Sequence, residues 1–119
     1  MTLLATVATL FVAAQHVAFL VLEMFFWNKP LGRRVFGLTP EVAASSAALA
    51  ANQGLYNGFL AAGLVWGAWL GATGFAVRIF FLVCVIVAGI FGAATAKRTI
   101  LFVQGLPAAV ALALVWLSR

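Results

Sequence analysis

Four long apolar runs take up most of the chain, at about 3–27, 45–70, 75–96 and 99–117, with charge confined largely to the short segments between them. A bilayer core is crossed by about 20 apolar residues of helix, so each run is near the required length. The runs are continuous rather than alternating, which excludes barrel strands and leaves helices, since backbone polar groups in lipid have to be satisfied within the segment. The expected fold is therefore an all-α integral membrane protein of one domain, with four transmembrane helices in one antiparallel bundle over residues 1–119.

Composition supports this class. The chain is 66% hydrophobic and 8% charged, where a soluble domain carries about 25% charge. Its net charge of +5 would point to nucleic acid on a soluble protein. Here the cations fall between apolar runs, where they set topology and meet lipid head groups, so nucleic acid is not an expected partner. Lys29, Arg33 and Arg34 follow the first run and Lys97 and Arg98 follow the third, against Arg78 and Arg119 on the opposite side. The positive-inside tendency then places the first and third loops in the cytoplasm and both termini outside. The opening run lacks a basic leader and is followed by Lys29, the pattern of a retained span rather than a cleaved signal.

Local signals mark the ends of the helices. Asn28-Lys29-Pro30 stops the first, and Thr39-Pro40-Glu41 has the order of a helix start: a capping hydroxyl, proline in the first turn, then an acid at the positive helix end. Arg78 is expected to snorkel from the start of the third helix, Pro107 to kink the fourth, and Trp27, Trp69 and Trp116 to anchor at the interfaces. Cys84, the single cysteine, reads as a small hydrophobe with no intrachain partner.

The informative residues are the polar ones inside the runs: His16 and Glu23 in the first, Asn52, Gln53, Tyr56 and Asn57 in the second, Gln104 in the fourth. An ionisable group at the centre of a membrane helix costs about 2.5–3.5 kcal/mol on insertion scales, so such residues face a partner or a cavity. At 1.5 Å per residue, all of them fall between mid-membrane and the cytoplasmic side, which points to one pocket opening inward. His16 and Glu23 are seven apart and share a helix face. Asn52/Tyr56 and Gln53/Asn57 are four-apart pairs that together make a polar arc. Gly54, Gly58, Gly63, Gly67 and Gly71 have small-xxx-small spacing suited to close helix packing. They read as the opposite side of the same helix, with Gly89 and Gly92 as further approach points on the third.

Each polar residue also has a plainer explanation. Asn and Gln often join membrane helices, and Glu23 is near enough to the first loop to pair with Arg33 or Arg34. Three functions stay open. In one, Glu23 and His16 act as acid and base on a small lipophilic molecule, for instance in an isomerisation, while Asn52, Gln53, Tyr56, Asn57 and Gln104 bind it. In another, Glu23 exchanges protons against a transported small molecule. In the third, the chain is a structural or accessory subunit. No metal site, nucleophile motif or phosphate loop is present, and no cofactor is expected, with a shared haem on His16 a remote alternative.

The strings HVAFLVLEMFFW (16–27), ANQGLYNGFLAAGL (51–64), VAGIFGAAT (87–95) and VQGLPA (103–108) resemble the hallmark segments of a family of small, mostly bacterial membrane proteins, domain of unknown function thirteen-oh-four. The resemblance covers nearly the whole chain. It implies a single four-helix domain in a bacterial inner membrane and carries no biochemical activity. The expected partners are the lipid bilayer, a small amphipathic or lipophilic ligand and further copies of the chain as a homo-oligomer.

Overall fold

The computed structural model describes residues 2–119, and among them there are helices and no strands. In chain order the α-helices are α1 (Leu3–Phe25), α2 (Pro30–Phe36), α3 (Pro40–Trp69), α4 (Phe75–Thr95) and α5 (Leu106–Leu117). A short 3-10 segment, Gly71–Gly74, joins α3 to α4, and a π-helical turn, Leu101–Gly105, precedes α5. Two compact units divide the chain: the residues up to Ala14 together with Leu60–Arg119, and Gln15–Phe59.

Among the described residues two segments are long and apolar enough to cross a membrane, Leu3–Phe25 and Gly71–Thr95. The second of the four expected spans falls within α3, which has the length but not the hydropathy, because Asn52, Gln53, Tyr56 and Asn57 interrupt its apolar run. The fourth is short: only Leu101–Leu117 is apolar and helical. Its irregular start follows from Pro107, which has no N–H to give to the preceding turn and whose ring crowds the carbonyl there. The backbone widens ahead of it, so that Leu106 N–H reaches back to Leu101 O, a π-type bond.

The unit that includes α4 and α5 has a core of small and medium side chains: Ala5, Val12, Ala13, Leu64, Leu82, Val85, Ala108, Ala111 and Val115. Thr9 is buried in the same unit and returns its hydroxyl to Ala5 O at 2.8 Å, so it leaves no unsatisfied group. Small residues let backbones approach closely. A Cβ on Gly89 would stand 3.0 Å from Gly105 Cα and N, so α4 packs on the π turn almost backbone to backbone.

The α3–α4 turn departs from the sequence expectation at Arg78. Its side chain does not snorkel outward but is 2% exposed. Nη1 donates to Gly67 O at 2.8 Å and Gly71 O at 2.6 Å. These carbonyls belong to the last turn of α3 and the residues after it, where helical partners run out and the helix dipole is negative. The guanidinium therefore caps the preceding helix. Gly67 makes this possible, since a Cβ there would meet Arg78 Cγ at 2.7 Å.

In the Gln15–Phe59 unit, α2 is an additional element within the first loop. Pro30 opens it with a preset φ, and Gly37 closes it in the left-handed conformation (φ 66°), its N–H bonding Arg33 O. The helix start expected at Thr39 is present: Val42 N–H donates to Thr39 Oγ1 at 3.2 Å, with Pro40 as the first helical residue. Trp27 is half-buried. Its Nε1 donates to Ser46 Oγ at 3.0 Å and its ring lies 4.8 Å from that of Phe36.

Candidate functional site

The Gln15–Phe59 unit brings one ionisable group and one amide together across two helices. Asn57 Nδ2 on α3 donates to Glu23 Oε1 on α1 at 2.5 Å, and Glu23 is 5% exposed. The Gln53 amide, one turn earlier on α3, is a second polar neighbour of the same carboxylate. Of the two cations expected to compete for Glu23, Arg33 has its Nη1 donating to Asn28 O at 3.0 Å, and Arg34 is exposed. Amides rather than a counter-charge hold the carboxylate.

Glycine positions this pair. A Cβ on Gly54 would lie 2.8 Å from Met24 Cγ, 3.1 Å from Glu23 Cβ and 3.2 Å from Leu20 O, and one on Gly58 would lie 2.6 Å from Leu20 Cδ1. The first two glycines of the small-residue series thus press α3 against α1, three residues before Asn57 and one residue after it. This revises the division of α3 into a packing side and a polar side. Asn57 and Gln53 lie to one side of the Gly54/Gly58 contact, about 60° and about 100° from Gly54 at 100° per residue, so the polar contact adjoins the packing contact on the side of α3 that meets α1.

The remaining expected site residues are distributed differently. Asn52 and Tyr56 occupy the far side of α3 and are exposed, and the Tyr56 ring lies 5.9 Å from that of Phe59 between centroids. His16 is fully buried on the same side of α1 as Glu23, its ring edge-on to Phe19 at 5.2 Å. Two turns, about 10 Å of helix rise, separate it from Glu23. Gln104 is half-buried in the π turn and belongs to the other unit. Among the described residues no three His, Cys, Asp or Glu side chains gather as a metal site.

A groove of about 550 Å³ lies between α4 and α5, lined by Ile79, Val83, Leu112, Ala113, Trp116 and their apolar neighbours. It contains none of the expected site residues and offers no polar group for chemistry. Arg78, buried and bonded to backbone carbonyls, is the polar residue whose role sequence reasoning missed. The available signal was its position, four residues after Gly74, facing the carbonyls that end α3.

These features define an all-helical protein with two helices fit to cross a membrane and a buried carboxylate–amide pair linking α1 to α3. The family described as "Protein of unknown function (DUF1304)" matches residues 10–116, and the chain belongs to it. It is similar to the uncharacterized protein YpaA of Lactococcus lactis subsp. lactis (strain IL1403), at 29% identity over 107 residues, covering 88% of this chain and 90% of that one. No solved structure matches.

Proposed function

We propose that the chain is a four-helix protein of the bacterial inner membrane whose Glu23 carboxylate, with Asn57 and Gln53, is the polar centre of a pocket for a small lipophilic molecule. One observation carries this reading: a buried carboxylate on an apolar helix is held by amides and not by a cation. Placing a carboxylate there costs several kcal/mol or forces it to take a proton, and such residues mark functional sites by default. A group held this way can accept a hydrogen bond or proton from a ligand. Glu23 then serves as acid/base, taking a proton from one carbon of the ligand and returning it to another, an isomerisation that needs no co-reactant. His16 is the second titratable group on that side of α1. Loops one and three face the cytoplasm in this reading, and the exposed Asn52 and Tyr56 meet further copies of the chain.

Proton-coupled transport uses the same carboxylate, which would release its proton as a substrate enters. A structural role has one specific observation in its favour: Glu23 and Asn57 are already bonded to each other beside the Gly54 contact, as interhelical glue would be.

Native mass spectrometry in mild detergent, followed by denaturing identification of released molecules, separates these readings. The pocket reading expects a co-purified small molecule that is lost in Glu23→Gln and Asn57→Ala while both variants stay folded. An empty protein whose oligomeric state fails in Glu23→Gln supports the structural role. Equal ligand retention by both variants and by His16→Ala defeats the site.

A further inference from the structure

The α2 segment has two faces with different surroundings. Gly32 and Phe36, four apart, face inward. A Cβ on Gly32 would stand 1.9 Å from Phe26 O, so the helix is seated directly on the end of α1, and Phe36 packs on Trp27. Leu31 and Val35, also four apart, are 46% and 53% exposed, although both are large and apolar. Arg34 and Lys29 are exposed as well, and Arg33 donates to Asn28 O. From Asn28 to Pro40 the chain has three cations and no acid. A short helix that is fixed from behind and presents two aliphatic side chains, in a segment with two exposed cations, matches the boundary of a bilayer. Aliphatic groups gain by entering the acyl region, and long basic side chains reach back to phosphates.

We propose that α2 is an interfacial anchor that binds anionic phospholipid, with Leu31 and Val35 inserted below the head groups and Lys29 and Arg34 on lipid phosphates. The charge of the segment selects the occupant: a neutral lipid surface satisfies the aliphatic pair and leaves both cations without a counter-charge. Each cation near an anionic surface favours it about fivefold. The inference rests on the chain spanning a membrane, and a control is built in for that reading. Gly32 gives the anchor its purpose, since a helix seated rigidly on α1 fixes the depth of that helix relative to the head groups.

The test uses the full chain in a Cys84→Ser background, reconstituted in phosphatidylcholine vesicles with and without phosphatidylglycerol. Single labels are placed through Val35→Cys on α2 and Val17→Cys on the exposed side of α1. The Val17 label should be quenched by nitroxides on acyl chains and the Val35 label by nitroxides on head groups. Quenching at Val35 should increase with phosphatidylglycerol, and Lys29→Gln with Arg34→Gln should remove that increase. Both substitutions are at exposed positions and leave the fold intact. An unquenched Val17 label defeats the spanning reading and the anchor with it. A quenched Val17 label with no head-group quenching at Val35, or with none of the phosphatidylglycerol dependence, overturns the anchor alone.

Discussion

Asn57 donates to Glu23 across 34 residues of sequence, and Gly54, one turn earlier on α3, is the residue that lets the two helices come near enough for it to do so. The polar contact and the close packing are one feature. Interhelical hydrogen bonds in membrane proteins average about 0.6 kcal/mol and reach about 1.7, so the pair contributes modestly to stability. Its larger consequence is to fix the carboxylate in one orientation.

A double-mutant cycle on Glu23→Ala and Asn57→Ala should return a coupling of about 1 kcal/mol, near the middle of the range for such bonds. Reversible unfolding in mixed detergent micelles measures it. Additive single-mutant effects would show that the two side chains act independently.

Gly54→Val should be among the more damaging single changes in α3. Its branched side chain has to displace Met24 and the Glu23 Cβ, and overpacking of this kind costs about 1–3 kcal/mol. Leu49→Ala, at an exposed position on the same helix, should change the unfolding midpoint little. A wild-type midpoint for Gly54→Val would show that α1 and α3 do not approach there.

Arg78→Leu removes a cap from the end of α3 and leaves Gly67 O and Gly71 O without their donor. Hydrogen bonds to charged groups are worth about 1.5–3 kcal/mol, so a loss of that size is expected. Arg78→Lys should recover part of it, because one ammonium can reach these carbonyls without the planar geometry of the guanidinium. Hydrogen exchange around Gly67–Gly74 should rise in both variants, more in the leucine one.

Thr39→Ala should weaken the start of α3 by about 1 kcal/mol, the usual cost of losing a capping hydroxyl. The effect is local. Exchange at the Val42 amide should accelerate while amides near Asn57 stay protected, and Thr39→Ser should retain most of the wild-type protection.

Much of this protein is written in short stretches of sequence, because the physics there is short-ranged. The apolar runs specify helices, Thr39-Pro40-Glu41 specifies a start, and the periodicity puts His16 and Glu23 on one side of α1. The same periodicity pairs Gln53 with Asn57, and Asn52 with Tyr56. What periodicity leaves open is the rotation of one helix against its neighbour. That rotation follows from where two backbones can approach, and it puts Gln53 and Asn57 beside Glu23 while Asn52 and Tyr56 face outward. Arg78 follows the same logic: its charge and place in the chain are legible, but its partners are carbonyls from the end of another helix, in reach only when the α3–α4 turn has closed over Gly67. Trp27 is legible as an aromatic with an N–H to satisfy, but its partner, Ser46, is 19 residues later and reaches the indole only once the chain has folded. The residues settle which groups need partners, and the packing of helices around their glycines settles which partners they get.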